Sequence, residues 1–393
     1  MTPEFEARLK KAVEEGVLPF AVLLAKDKTG KINYSFSVGP SSLKQPDAPP
    51  VSPDTLLTMA SLTKLLTSLA VLHLIQEKVI TLDTDVTPHL PVLASQPILT
   101  GNGQLSPRTK PILVRHLLTH SAGTGYLLLN ETLAEWYKTT GGPLPNPLGS
   151  VEEGGGATVD KRFGYPLVFE PGQGWVYGSA LDWAGKLVEV LSGKSLDDYL
   201  YENVLSKVGV PRGGITFQPL KFSKEIAGMS VRDGATGKVG HMDTGFPHPE
   251  VEAFGGQGAY GAMGEYIKVL ESILKDDGKI LRPEVAKLLF EGLLEPEAKK
   301  ALNENMKHPE WTVGVIPQGV EYNWSAGGLL SEGGSLEHRK KRFLQWGGAW
   351  NLSWFVDREA GVCSVFGTQV VPPADPQVEE FLKEFEETIY AKL

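Results

Sequence analysis

Cysteine is almost absent from this chain of 393 residues, since Cys363 is the only one. A disulfide bond within the chain is therefore excluded. The surrounding residues, 361–366, form an apolar run that predicts a buried strand. We therefore interpret Cys363 as a small core residue and not as a catalytic thiol.

Positive charge is also in deficit. The chain has 38 lysine and arginine residues against 47 aspartate and glutamate residues, which gives a net charge of −9. This balance argues against nucleic acid or an anionic membrane as the main partner. No apolar run reaches the roughly 18 residues that a membrane-spanning helix needs. Residues 1–16 are charged and amphipathic, unlike a secretory signal. We expect a cytoplasmic protein.

Several catalytic and cofactor motifs are missing. There is no G-x-S-x-G, so the nucleophile elbow of an α/β-hydrolase is excluded. His116 and His120 lie one helical turn apart, but H-E-x-x-H is absent and no third ligand is suggested, so no metal is expected. Residues 256–261 satisfy G-x-G-x-x-G without a surrounding βαβ series. They predict a tight turn near a cleft, and no cofactor.

The predicted strands cluster towards both ends of the sequence. Runs 20–26 and 32–38 predict one hairpin, and strand-like runs 344–355 and 361–370 predict a second around residues 358–361, followed by a helix over 378–389. The middle of the chain is mainly helical, with helices predicted over 181–191 and 196–208 and a proline- and glycine-rich connection at 143–156.

This distribution predicts an α+β fold, in which an antiparallel sheet is flanked by N- and C-terminal helices. One lobe would combine residues 1–80 and 210–393. A mostly helical lobe, 81–209, would be inserted into it, with the active site in the cleft between them.

The pattern Ser-x-x-Lys indicates a nucleophile that a lysine can activate, but alone it is weak. It occurs three times, at Ser41/Lys44, Ser61/Lys64 and Ser272/Lys275. Only Ser61 begins a helix that is apolar nearly all round, over residues 62–75. At that position the first N–H groups and the helix dipole can stabilise an alkoxide. We therefore select Ser61.

Two further segments supply what a nucleophilic serine needs. Tyr177 lies on a turn before a helix, and a lysine cation nearby would favour its phenolate. Glycines 347 and 348 follow Trp346 at the end of a strand-like run, where they permit close approach of a ligand. The backbone N–H near Ala349 and that of Ser61 could together bind an oxyanion.

With these motifs in that order, the chain resembles the serine β-lactamase and penicillin-binding-protein superfamily. More narrowly, it is similar to the class C β-lactamase-like esterases, or family VIII carboxylesterases. Segments 117–123 and 170–172 also look like that family. Segments 60–67, 175–189 and 254–258 resemble a fungal subgroup of statin-pathway acyltransferases and statin-ester hydrolases. The likeness covers essentially the whole chain.

The resemblance implies Ser61 as the nucleophile, with Lys64 and Tyr177 as the pair that takes and returns its proton. It leaves open which of the two is the primary base. It also implies an oxyanion hole formed by the N–H groups of Ser61 and Ala349.

The resemblance further places Tyr126 beside the acyl pocket, and Trp346, Gly347 and Gly348 in the substrate cleft. The expected fold is that of the β-lactamases and transpeptidases.

Two departures separate the chain from true β-lactamases. The motif at Tyr177-Gly178-Ser179 lacks an asparagine, and Trp346-Gly347-Gly348 stands in place of Lys-Thr-Gly. Exchanging a cationic anchor for an apolar wall favours neutral or hydrophobic esters and disfavours β-lactams.

The expected function is hydrolysis or transesterification of a hydrophobic, polyketide-like ester with a small acyl chain. The expected partner is a small ester or thioester, including an acyl donor on a carrier protein or polyketide synthase. The alternatives are a catalytically silent binding protein of the same fold and, more remotely, a β-lactamase.

Overall fold

The computed structural model describes residues 2–101, 103–140, 158–222, 224–244 and 252–393. The connection predicted at 143–156 lies outside the described residues. The α-helices are α1 Pro3–Glu14, α2 Thr63–Gln76, α3 Pro91–Ala94, α4 Val114–Leu118, α5 Glu131–Thr139, α6 Val159–Phe163, α7 Ala180–Ser192, α8 Leu196–Leu200, α9 Met263–Lys275, α10 Pro283–Ala286, α11 Pro296–Asn305 and α12 Pro376–Tyr390.

The strands are β1 Ala21–Asp27, β2 Asn33–Val38, β3 Leu56–Thr58, β4 Ile98–Leu99, β5 Leu105–Ser106, β6 Ile215–Thr216, β7 Met229–Arg232, β8 Val239–Met242, β9 Tyr260–Ala262, β10 Val320–Trp324, β11 Leu329–Gly334, β12 Leu344–Gly348, β13 Leu352–Asp357, β14 Val362–Gly367 and β15 Val370–Val371. The largest described sheet is antiparallel, with seven strands in the order β10-β11-β12-β13-β14-β1-β2. Strand β1 pairs with β2 on one side and with β14 on the other.

Helices cover both faces of this sheet. Along β1, Leu23 points to a core that α1 and α12 complete, whereas Val22 and Leu24 join a second core. This alternation is the period of two that an extended strand imposes on its side chains. Helix α9 packs against β1 and β14 from the side of the second core. The predicted α+β fold, with its flanking terminal helices, is confirmed.

Helix α2 is the central helix of the second core. Most of its side chains are buried, including the polar Lys64, Thr67 and Ser68. It packs against α7, and residues 60–62, directly before it, contact β12. The prediction of a helix buried nearly all round is confirmed.

Local structure differs from the prediction in two places. The run 344–355, read as one strand, is split into β12 and β13 by a turn in which Asn351 has φ of 65°. The helix predicted over 196–208 is α8, followed by a π-helical turn at Tyr201–Leu205 and a 3₁₀ turn at Ser206–Val208. In both places hydrophobic periodicity continues through a change of backbone conformation.

Among the described residues, no helix is long and apolar enough to cross a membrane. The second core contains residues from the segment 81–209 as well as from the sheet. The division into two lobes stays a prediction.

Candidate active site

Ser61 lies in a 3₁₀ turn, Ala60–Leu62, that runs directly into α2. Ala60 has φ of 46°, in the left-handed region where a residue with a Cβ is strained. The Tyr266 hydroxyl donates to the Leu62 carbonyl at 3.1 Å and holds the turn from α9. The Ser61 side chain is half-buried at the N-terminal end of the helix, where the dipole favours negative charge.

Lys64, one helical turn later, is 5% exposed, and its ammonium has three acceptors. Its Nζ donates to Ser61 Oγ at 3.0 Å, to the Gly256 carbonyl at 2.7 Å and to the Tyr126 hydroxyl at 3.4 Å. It also lies 4.6 Å from the centre of the Tyr177 ring. These partners offset the cost of burying the charge.

Tyr177 also contacts Ser61, and its hydroxyl donates to Ser61 Oγ at 2.7 Å. Its oxygen accepts a hydrogen bond from Trp346 Nε1 at 2.9 Å. The loop is fixed by Gly178, where a Cβ would lie 1.9 Å from the Thr124 carbonyl. The structure thus brings the three predicted catalytic side chains together at one point.

Tyr126, predicted to border the acyl pocket, also connects Lys64 to Asp182. Its hydroxyl donates to Asp182 Oδ2 at 2.9 Å, and the Gly256 N–H donates to Oδ1 at 2.9 Å. Burial raises the pKa of Asp182 to about 6, although the Lys64 ammonium lowers it. Burial, together with the Asp182 carboxylate, raises the pKa of Tyr126 well above its ordinary value.

Asp182 was missed by sequence reasoning. It lies in the first turn of α7, where an acidic residue commonly faces solvent and interacts with the helix dipole. The available signal was its position between Leu181 and Trp183, in a helix with few other charged residues near its start.

The segment 256–261 begins with the predicted turn, at residues 255–257 beside the site, and ends in the first residues of β9. A Cβ at Gly256 would lie 2.4 Å from Asp182 Oδ2, and one at Gly255 would lie 2.6 Å from the Leu181 carbonyl. The Thr67 hydroxyl of α2 donates to the Gly255 carbonyl at 2.7 Å. The glycines therefore let this turn pack tightly against α2 and α7.

His120 lies against Tyr177, with 4.7 Å between the ring centres. Its Nδ1 accepts from the Gly178 N–H at 3.4 Å, whereas Nε2 has no hydrogen-bond partner within the described part of the chain. Burial lowers the pKa of His120 well below its ordinary value, and the Lys64 ammonium adds to this effect. The imidazole is therefore neutral. In the described ranges no cluster of His, Cys, Asp and Glu is suited to hold a metal ion.

The glycines at the end of β12 approach the protein's own backbone. A Cβ at Gly348 would lie 2.6 Å from the Met59 carbonyl, and one at Gly347 would lie 2.1 Å from the Val313 carbonyl. Strand β12 is thereby held against the start of α2, with Ala349 next in the chain. The predicted oxyanion-hole role of Ala349 and the predicted substrate contacts of the glycines stay predictions.

The other two Ser-x-x-Lys matches have unrelated contacts. Their side chains bond to acidic partners, in the pairs Ser41–Glu225, Lys44–Asp243, Ser272–Asp277 and Lys275–Glu271. Only at Ser61 do the serine and the lysine of the motif meet each other in a hydrogen bond that the structure describes.

A serine hydroxyl within reach of both a phenol and an ammonium can pass its proton to a neighbour as it attacks a carbonyl carbon. The geometry is therefore suited to nucleophilic acyl transfer. The sequence model of the beta-lactamase family matches residues 6–387. The chain belongs to the beta-lactamase family. The family and the fold predicted from the sequence are thereby confirmed.

Relatives within the beta-lactamase family include enzymes of statin chemistry. The chain is 34% identical to the monacolin J acid methylbutanoyltransferase of Aspergillus terreus, over 98% of this chain and 95% of that protein. It is 31% identical to the lovastatin esterase of Penicillium rubens, over 97% of this chain and 96% of that protein.

A solved structure of simvastatin synthase from Aspergillus terreus superimposes with a TM-score of 0.88 at 33% identity, covering 99% of this chain and 98% of that one. The chain is an enzyme of the esterase and acyltransferase type within the beta-lactamase family.

Proposed function

We propose that the enzyme transfers acyl groups through a covalent acyl-Ser61 intermediate. The observation that carries this proposal is the position of Ser61 Oγ, 2.7 Å from the Tyr177 hydroxyl and 3.0 Å from Lys64 Nζ. Ser61 Oγ attacks the carbonyl carbon of an ester or thioester while its proton passes to the Lys64–Tyr177 pair. The alcohol or thiol leaves with the proton that the pair returns.

In the second half of the reaction, water or another alcohol attacks the acyl carbon. The same pair takes the proton of the attacking hydroxyl and returns it to Ser61 Oγ. The backbone N–H groups of Ser61 and Ala349 stabilise the oxyanion in both halves. The close packing of Gly348 on the Met59 carbonyl supports this role, because it keeps the end of β12 against the Ser61 turn.

The proposed substrate is a hydrophobic, polyketide-like ester with a small acyl group, and the acyl donor is an ester or a carrier-bound thioester. Three indoles support this choice, because Trp311, Trp324 and Trp346 pack around the Tyr177 ring at centre distances of 5.0 to 6.5 Å. The relatives named for methylbutanoyl transfer and for lovastatin cleavage support it as well. The cleft is proposed to lie between the lobe 1–80 with 210–393 and the lobe 81–209.

Replacing Ser61 with alanine tests the proposal. S61A should lose hydrolysis of a p-nitrophenyl ester by at least about a thousandfold, since the covalent route is removed. Labelling of the wild-type chain by a fluorophosphonate, located by peptide mass spectrometry, should fall on Ser61 alone. Retained turnover in S61A, or a folded wild-type chain that stays unlabelled, would contradict the proposal and favour a silent binding protein.

Hydrolysis and transfer differ only in which nucleophile reaches the acyl-enzyme. Incubation with a methylbutanoyl thioester and a polyketide alcohol, followed by mass spectrometry of the products, measures that partition. An acyltransferase gives the new ester in excess of the free acid, and an esterase gives the free acid.

A further inference from the structure

Asp182 is fully buried, and the acyl-transfer steps above do not use it. Each of its two carboxylate oxygens is nevertheless connected to Lys64 Nζ by hydrogen bonds through one intervening residue. Oδ2 accepts from the Tyr126 hydroxyl, whose oxygen accepts from Lys64. Oδ1 accepts from the Gly256 N–H, and the carbonyl of the same residue accepts from Lys64. The four residues form a closed ring of hydrogen bonds.

The donors and acceptors of this ring match. An ammonium has three N–H bonds and accepts none. Lys64 has three acceptors, namely Ser61 Oγ, the Gly256 carbonyl and the Tyr126 oxygen. The Tyr126 proton is left to point at Asp182, which accepts it only while ionised on that side. Within the ring, only the Tyr126 hydroxyl can change the direction of its hydrogen bond, and it donates to Asp182 while Oδ2 is deprotonated.

Protonation of Asp182 reverses one of these directions. A carboxylic acid donates through one oxygen, so either the Tyr126 O–H or the Gly256 N–H loses its acceptor. If the acid donates to the Tyr126 oxygen, it competes there with the Lys64 N–H. Each outcome weakens one of the two connections, through Tyr126 or through Gly256, that link Asp182 to the Lys64 ammonium.

We propose that Asp182 is a positioning residue whose ionised carboxylate, acting through Tyr126 and the Gly256 peptide, holds Lys64 against Ser61, so that the reactivity of Ser61 switches off in mild acid. This inference rests on the proposed function, since it concerns the same nucleophile. It also explains why the carboxylate of Asp182 is buried, since burying a charge is costly and packing alone does not require it.

The pKa of Asp182, raised to about 6 by burial, places this switch close to neutral pH. Four ionisable groups face the carboxylate. Lys64 belongs to α2, Tyr126 to the loop between α4 and α5, Arg162 to α6, and Tyr165 to the segment after α6. Burial raises the pKa values of the two tyrosines above their ordinary value, away from neutral pH. Asp182 is the carboxyl group at the centre of this set, and its pKa lies close to neutral.

The variant Asp182→Asn reproduces the protonated form at every pH, because the amide accepts through one atom and donates through the other. Fluorophosphonate labelling of Ser61 and turnover of a p-nitrophenyl ester are measured between about pH 5 and 8. The wild-type rates should fall about tenfold per pH unit below a midpoint near 6. D182N should be slowed at least about tenfold at pH 7.5, with KM within about twofold, and should show no such fall.

Asp357→Asn is the matched control. Asp357 is also fully buried and accepts from a tyrosine hydroxyl, that of Tyr390 at 2.6 Å, and from backbone N–H groups. It lies at the far end of β13 from the site. D357N should lose stability and keep the wild-type pH profile.

Tyr126→Phe provides a second test if D182N does not fold. Its hydroxyl lowers the pKa of Asp182, so Y126F should move the acid midpoint to higher pH. A D182N profile parallel to that of the wild type, or a Y126F midpoint that does not rise, would overturn the inference while Ser61 labelling stands. Absence of Ser61 labelling in the wild-type chain would instead overturn the proposed function.

Discussion

At the scale of single residues, Trp346 has a polar role in addition to forming the apolar wall that the sequence indicated. Its ring packs against Tyr177 with 5.0 Å between the ring centres, and its Nε1 donates to the phenol oxygen at 2.9 Å. An indole N–H donates and never accepts, so the Tyr177 oxygen is the acceptor of this bond and its own proton is free to point at Ser61. It also orients the phenol towards Ser61.

Replacing Trp346 with phenylalanine keeps an aromatic wall and removes the donor. We expect W346F to lower kcat by up to about tenfold, because a typical hydrogen bond contributes about 0.5–1.5 kcal/mol, with a smaller change in KM. Steady-state kinetics on a p-nitrophenyl ester measures both. The control is W324F, which alters an indole 4.7 Å from Trp346 and leaves the Trp346 N–H in place. Equal losses in the two variants would assign the effect to packing.

The sequence predicted Ser61 and Lys64 through the spacing of a linear motif, whereas Tyr177 was predicted from its turn and from the resemblance to a known family. Asp182 belongs to no such motif, since it acts through Tyr126 and a backbone peptide that are distant in the sequence. His120 was considered in the sequence only as a metal ligand and was not expected to bind one. Its contact with the Tyr177 ring joins residues far apart in the sequence, which periodicity does not encode.

At the scale of elements, the loops that carry Tyr126 and Tyr177 are joined side by side. Gly125 and Gly178 form an antiparallel bridge, and the Ser179 N–H donates to the Thr124 carbonyl at 2.9 Å. The two tyrosines are therefore placed as one unit above the start of α2.

Gly178→Ala tests this unit. The new Cβ would lie 1.9 Å from the Thr124 carbonyl, so the loops must separate. We expect a loss of about 1–3 kcal/mol in the free energy of unfolding, together with a fall in Ser61 labelling. Thermal denaturation and labelling rates measure the two effects. Gly234→Ala, where a Cβ meets nothing within 4 Å, should change neither; a G178A chain as stable and reactive as G234A would contradict the argument.

Helices and strands were predictable from the sequence where a single hydrophobic periodicity continues along the whole element. The β1–β2 hairpin and α12 follow simple periods of two and of three to four residues, and both were predicted. The break between β12 and β13 was not predicted. Glycines 347 and 348 were assigned to the close approach of a ligand, whereas the Gly348 carbonyl accepts from the Asn351 N–H at 2.9 Å and closes a turn there. The residues between them, Ala349 and Trp350, continue the apolar run.

At the scale of the whole molecule, buried ionisable groups make the free energy of unfolding depend on pH. The pKa of His120 is lowered in the folded chain, so its neutral form contributes stability that is complete above the ordinary value near 6.5 and is lost as pH falls below it. Asp182 acts with the opposite sign, since its raised pKa makes ionisation costly as pH rises towards 6.

His120→Gln removes the first of these two dependences. Between about pH 7 and 5 the wild-type free energy of unfolding should fall more than that of H120Q, by up to about 1.4 kcal/mol for each pH unit below 6.5. Urea denaturation at several pH values gives the difference between the two curves, in which Asp182 cancels. Parallel curves would show that His120 is not buried in its neutral form.

The pairing of β1 with β14 has a consequence for how the protein is made. Residues of the first strand, such as Val22, pair with partners as late as Gly367. While the ribosome is still translating the chain, β1 and β13 each lack the neighbour that will separate them, and both present open edges. Ser61 likewise emerges long before Trp346. The nascent chain must remain unaggregated without a complete sheet or a complete active site until nearly its last strand has been translated.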